Sequence, residues 1–237
     1  MVASVPARLL DLAFPARCPG CGREGEPICA ACARALDARL ELPAGVPIGL
    51  PSDSPAPILQ LEWCAAFSGV VRHALHELKY GGETRLATPL GRAIARRWRR
   101  VGAGGDVIVP VPVHAERRRR RGYDQAELIA EVAAKELGLP FAPILARARA
   151  TTAQFDLDRS TRATNVRGAF ALRGRAPGGT PGLDPGRASA ATRPLEGRWI
   201  ILVDDVVTTG ATLSACAEPL LEAGALGVSA VTVARER

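Results

Sequence analysis

The stretch Ile200-Ile201-Leu202-Val203-Asp204-Asp205-Val206-Val207-Thr208-Thr209-Gly210-Ala211-Thr212 constrains the fold of this chain more than any other part of it. Its apolar start reads as a buried strand, and its small, hydroxyl-bearing end reads as the start of a helix. A strand that runs into a helix in this way is half of a βα unit, and α/β proteins bind ligands in the crevice at the carboxyl ends of such strands. Backbone N–H groups, flexible Gly210 and the hydroxyls of Thr208, Thr209 and Thr212 at a helix N-terminus favour a phosphate. Asp204 and Asp205 would repel a second phosphate, so their natural partners are hydroxyls or a metal. A ribose 5-phosphate satisfies both halves at once. Capping alone does not account for the acids, because a cap needs one side-chain oxygen near the helix start, whereas two acids stand two residues before the first threonine.

The rest of the chain repeats the alternation. Leu59 to Phe67 can form a strand, and Val71, Leu75 and Leu78 lie at helical spacing before Gly81-Gly82. Leu86, Leu90, Ile94 and Trp98 continue as a second helix. Asp106 to Val113 is a β-branched run, and Gln125 to Leu137 reads as a helix stopped by Gly138. The end gives strand Trp199 to Val203, a loop, helix Ala211 to Ala223 stopped by Gly224, and strand Val228 to Ala234. The expected class is α/β, with a mainly parallel sheet flanked by helices on both faces. With 237 residues, 47% of them hydrophobic and 23% charged, the chain can bury a real core. Residues 1–40 form a small cysteine-bearing unit, the proline-rich residues 41–57 a linker, and residues 58–237 the main domain, with the Gly/Pro/Ala-rich residues 173–197 as a mobile surface insertion.

Cys18-x-x-Cys21 and Cys29-x-x-Cys32 supply four soft ligands on two short turns seven residues apart. Four thiolates in a tetrahedron suit a structural zinc, giving a zinc-ribbon-like unit with no open position for catalysis. Cys64 and Cys216 lie singly in apolar surroundings and read as core. No apolar stretch approaches the roughly 18 residues needed to span a bilayer, and Arg8 and Asp11 interrupt the apolar start, which argues against a signal peptide. No membrane insertion is expected, and paired Cys-x-x-Cys spacing without export signals points to the cytoplasm.

The net charge of +7 suits anionic partners, and the ten aromatic residues are a poor supply for a base-stacking platform. After Val109-Pro110-Val111-Pro112 come His114 and the run Arg117 to Arg121, then Gly122-Tyr123-Asp124-Gln125-Ala126. The run can grip a pyrophosphate through forked guanidinium contacts, with Arg121 facing the ligand, or form a nucleic-acid patch. Both readings stay open at this point.

The run from Val203 to Thr212 resembles the signature of type I phosphoribosyltransferases that binds phosphoribosyl pyrophosphate (PRPP). The N-terminal cysteines, Leu78-Lys79-Tyr80, the Val-Pro-Val-Pro strand and Arg121 to Ala126 extend the likeness. So does the spaced pattern of Leu145, Arg147, Thr151, Gln154, Leu157, Arg162, Asn165, Val166, Gly168, Ala169 and Phe170. Together they resemble the ComF/GntX family over nearly all of the chain except the linker and the insertion. The resemblance implies a type I phosphoribosyltransferase fold. In it Asp204 and Asp205 hold the ribose hydroxyls and stabilise positive charge developing on the sugar, while Val206, Val207, Thr208, Thr209, Gly210, Ala211 and Thr212 wrap the 5′-phosphate. Lys79 and Arg121 also contact PRPP, residues 147–165 form a flexible hood over the site with Gln154 and Arg162 as its closing contacts, and magnesium accompanies the pyrophosphate. Asp124 departs from the asparagine usual in the family, so no ligand role is expected for it. The implied activity is transfer of phosphoribose to an acceptor. The alternative is an accessory role in DNA uptake or utilisation, with PRPP as a ligand and single-stranded DNA or competence proteins as partners.

Overall fold

The computed structural model describes residues 15–45, 56–147, 168–173 and 195–236. The cysteine unit carries a short helix, α1 (Ala30–Ala33), followed by a 3₁₀ turn (Arg34–Asp37). Next come β1 (Leu61–Ala66), α2 (Gly69–His76), a π-helical turn (Glu77–Gly81), α3 (Ala87–Val101) and β2 (Val107–Pro110). The chain continues through α4 (Ala115–Arg121), α5 (Gln125–Leu137), β3 (Leu145–Arg147) and β4 (Phe170–Leu172), and ends in β5 (Trp199–Val207), α6 (Ala211–Glu222) and β6 (Gly227–Arg235).

Four strands form one parallel sheet in the order β1-β6-β5-β2, so the expected βα alternation is present. Side chains alternate across it. Ile201, Val203, Val231 and Val233 enter one apolar cluster with Leu75, Leu90, Ile94 and Ile129 of the helices. Ile200, Leu202, Val228 and Ala230 enter another with Leu213, Cys216 and Leu220 of α6. A sheet apolar on both faces requires helices on both. β3 and β4 make a separate antiparallel pair packed with the second cluster. Among the described residues, no helix is long and apolar enough to cross a membrane.

One difference from the sequence reading matters for the site. β5 does not end at Val203 but runs to Val207, with Asp204 opposite Thr232 and Val207 opposite Arg235 of β6. The acids therefore stand on a hydrogen-bonded central strand. The arginine run lies on a short helix: His114 caps α4, and Gly122 ends it in the left-handed conformation.

The cysteine unit is fastened to the main domain through Arg97, which is 1% exposed on the core side of α3. Its guanidinium meets Glu62 Oε2 of β1 at 2.7 and 3.1 Å, and Glu62 is fully buried. The same group donates to the carbonyls of Arg39 in the cysteine unit and of Leu42 and Pro43 just after it. Arg39 in turn donates to the Trp63 carbonyl at 3.0 Å and lies over the Trp63 ring. Ile28 and Leu36 of the unit join the first core cluster.

Candidate functional site

The sheet delivers Asp204 and Asp205 to its carboxyl end, where β5 turns through Thr208 and Thr209 into α6. Neither acid caps that helix: its N-cap is Gly210, which has no side chain to offer and adopts φ +81°, a conformation that favours glycine. Thr208 and Thr209 are exposed, Thr209 Oγ1 accepts from the Ala211 N–H at 3.4 Å, and Ala211 and Thr212 form the first turn. This open helix start presents free N–H donors to an anion. Val206 and Val207, expected in the phosphate loop, belong to the strand, so the chain that can wrap a phosphate is Thr208 to Thr212.

Asp205 is buried, and its Oδ1 accepts from the Val206 N–H at 2.7 Å. Its Oδ2 has no aligned hydrogen-bond donor, but the Lys79 ammonium stands 2.5 Å away and supplies positive charge. Asp204 keeps part of its surface in solvent yet is densely surrounded by protein, and its Oδ1 accepts from the Asp205 N–H at 2.8 Å. Desolvation, and then the charge of Asp205, hold the Asp204 carboxyl well above the usual carboxylate range, against the pull of the Asp205 N–H and of Lys79. Consecutive residues of a strand point to opposite faces, so the two acids leave the end of β5 on its two sides, Asp205 toward Lys79 and Asp204 with part of its surface in solvent.

Lys79 and Arg121 come together. Both line a cavity of about 200 Å³ with Tyr80, Gly82, Arg120 and Tyr123. The Arg121 guanidinium lies over the Tyr80 ring and donates to Gln125 Oε1 at 2.8 Å. Arg118 is turned away to Glu127, so only part of the run serves this cavity. A larger cavity of about 500 Å³ lies between the cysteine unit and α3, where its arginines Arg92 and Arg96 are already paired with Glu136 and Asp37. Asp124 caps α5 by accepting from Ala126 and Glu127, and it also holds the Val113 N–H at 2.9 Å. An acid is tolerated there because it is a cap. Gln154 and Arg162 lie outside the described residues.

The four cysteines converge. The sulfurs of Cys18, Cys21, Cys29 and Cys32 lie within 4.8 Å of one another, and those of Cys21 and Cys29 are 3.6 Å apart. A Zn–S bond of about 2.3 Å gives a tetrahedron edge of roughly 3.8 Å, so this donor set fits zinc. Burial raises the Cys18 thiol, but backbone N–H groups of Cys29, Gly20 and Cys21 and the Cys32 thiol outweigh it and lower Cys18 to about 6. Thiolate formation, which metal binding needs, is thus favoured at Cys18, while the hydrogen bond with Cys18, and then burial, push the Cys32 thiol up to about 12. A Cβ at Gly20 would come within 2.7 Å of Cys32 Sγ and 2.8 Å of Val70, so the knuckle packs tightly on α2. We expect one zinc per chain, and Cys21→Ser to lose it and destabilise the unit. Full zinc content and unchanged melting in that variant would refute the assignment.

Comparison with known proteins adds a second line of observation. A family model described as "Phosphoribosyl transferase domain" matches residues 123–237. The chain is 31% identical over 216 residues to the DNA utilization protein YhgH of Salmonella typhi, covering 85% of this chain and 87% of that protein. YhgH of Escherichia coli K12 is 30% identical over 217 residues. The chain belongs to the ComF/GntX family. Competence protein F of Haemophilus influenzae is 31% identical over 120 residues, which is 50% of this chain and 45% of that protein. Among solved structures, glutamine PRPP amidotransferase from B. subtilis has 20% identity and a TM-score of 0.38, covering 62% of this chain and 26% of that one. That likeness is too distant to carry an argument about chemistry. As a ComF/GntX protein, the chain combines a phosphoribosyl transferase domain with a four-cysteine cluster that could hold a metal such as zinc.

Sequence reasoning did not find the part played by Tyr123, whose hydroxyl donates to the Leu78 carbonyl, nor that of Arg97. An aromatic directly after Gly122 at the edge of a charged run was the one available signal for the former.

Proposed function

We propose that the chain binds PRPP at the end of β5 and transfers its phosphoribosyl group to an acceptor, releasing pyrophosphate. The carrying observation is the Asp204–Asp205 pair beside Lys79, standing directly before an uncapped helix start. The acids accept the ribose 2′- and 3′-hydroxyls, and Thr208 to Thr212 donate to the 5′-phosphate. Lys79, Arg120 and Arg121 face the pyrophosphate end. As pyrophosphate leaves C1′ and a nucleophile arrives, positive charge on the sugar is stabilised by the fixed carboxylates. Magnesium, when bound with PRPP, neutralises the departing pyrophosphate. Gln154 and Arg162 are proposed to close over the ligand, and residues 58–237 to form the catalytic domain.

A second reading is favoured by the exposure of Arg117, Arg118, Arg119 and Arg120 on α4 and by the names of the relatives: an accessory role in DNA utilisation or competence, with single-stranded DNA or a protein as partner. One experiment separates the two. Arg121→Ala is expected to weaken PRPP strongly and ribose 5-phosphate little, because the monophosphate lacks the group Arg121 contacts. The triple alanine variant of Arg117, Arg118 and Arg119 is expected to spare PRPP and weaken single-stranded DNA, lowering the salt dependence by about one unit per charge removed. Wild-type PRPP affinity in Arg121→Ala would count against the transferase assignment of the cavity.

A further inference from the structure

We infer that Tyr123 is a positioning residue for this site: its hydroxyl, donating to the Leu78 carbonyl, holds the π-helical turn in the register that aims Lys79 at Asp205. The inference rests on the reading of Asp205 and Lys79 as PRPP-site residues. Its basis is the pattern of backbone hydrogen bonds in that turn. In an α-helix the Gly82 N–H would bond the carbonyl four residues back, that of Leu78. Here it reaches one residue further, to Glu77, which is what makes the turn π-helical. The Leu78 carbonyl is thereby released, and the Tyr123 hydroxyl takes it.

The extra residue in the turn rotates the side chains around it by about 100° relative to an α-helix. Lys79 sits inside that turn, and its ammonium reaches Asp205 Oδ2 at 2.5 Å. Leu78 is fully buried, so the turn cannot swing away from the core to compensate. Tyr123 is well placed for the task because it lies between two fixed points. Gly122 ends the arginine helix on one side, and Asp124 caps α5 on the other. One hydroxyl therefore ties the segment carrying Arg120 and Arg121 to the segment carrying Lys79, and the six residues around the small cavity keep one arrangement. Without it, the Leu78 carbonyl is free to recapture the Gly82 N–H, the turn reverts to α-helical register, and Lys79 leaves Asp205.

The test is a double-mutant cycle on the full chain, read by calorimetry of PRPP binding with magnesium. Tyr123→Phe keeps the ring and its packing and removes only the hydroxyl. We expect it to weaken PRPP about fivefold and Lys79→Met about tenfold, and the double variant to lose about tenfold rather than fiftyfold, because Tyr123 acts through Lys79. A merely structural hydroxyl would cost the same with or without the lysine. A fivefold loss that persists in the Lys79→Met background, or no loss in Tyr123→Phe, overturns the inference. A ligand-free readout keeps it separate from the PRPP assignment. The ¹⁵N resonance of the Lys79 ammonium, slowed in exchange while paired, should be visible in the parent and absent in Tyr123→Phe and in Asp205→Asn. If the parent binds no PRPP, the functional reading fails, and the ammonium signal still decides the role of Tyr123.

Discussion

Replacing Asp204 and Asp205 together by asparagine is expected to weaken PRPP binding at least about a hundredfold while leaving the fold intact. The amides keep the volume of the acids but lose two charge-assisted acceptors, each worth roughly 1.5–3 kcal/mol, and each 1.4 kcal/mol is about tenfold in affinity. The pH dependence sharpens the test. The carboxyl of Asp204 is raised in the folded chain, so the folded state holds a proton that the unfolded state releases at the ordinary value near 3.9. Folding stability from this group therefore falls as pH rises from that value through the raised one, and the single variant Asp204→Asn should melt no lower than the parent at neutral pH. PRPP affinity should run the other way in the parent, falling as pH drops through the raised value, because only the ionised Asp204 carboxylate offers its ribose hydroxyl a charge-assisted acceptor. The ligand's own phosphate titrates near 6 in parent and variant alike, so the difference between the two curves isolates Asp204. Unchanged calorimetric binding in the double variant would sink the site assignment.

Arg97→Met should destabilise the protein by about 3–5 kcal/mol, the usual result of leaving a buried charge without its partner. Glu62 is fully buried, and Arg39 Nη2, at 4.0 Å from Glu62 Oε2, is too distant to take over the two hydrogen bonds that Arg97 donates to this carboxylate. The carbonyls of Leu42 and Pro43 lose the donor Arg97 gave them as well, and that of Arg39 is left with the Leu42 N–H. Removing both charges, as in Arg97→Met with Glu62→Leu, should recover much of the stability, since the buried Glu62 is then no longer stranded. Urea unfolding of the two variants decides it. A loss below about 1 kcal/mol in Arg97→Met would mean that the pair does not fasten the cysteine unit.

These two predictions also mark what the sequence made legible. The acids and threonines were readable because a strand, two carboxylates and a hydroxyl-rich helix start occupy thirteen consecutive positions. Helix α5 was readable to the residue, since Asp124 and Gly138 signal its two ends. The end of β5 was not: acids usually mark loops, and only pairing with β6 keeps Asp204 to Val207 extended. Arg97 was hidden among the other arginines of the same helix, Arg92, Arg96, Arg99 and Arg100. The clue was its position three residues after Ile94 and seven after Leu90, on the core stripe of the helix. Three-residue strands such as β3 and β4 carry too few alternations to be seen. The link from Tyr123 to Leu78 spans 45 residues, a distance over which periodicity says nothing.

Ile28 and Leu36 share a core with Leu90 and Ile94 of α3, and Arg97 stitches the following carbonyls to β1. A chain cut before residue 58 would thus present a bare apolar floor to water and uncover the Arg97–Glu62 pair. Such a fragment is a poor candidate for recombinant expression, and a lineage could not discard the cysteine unit in one deletion without repaving that surface. The cysteine cluster and the phosphoribosyl transferase domain are therefore expected to unfold as one body.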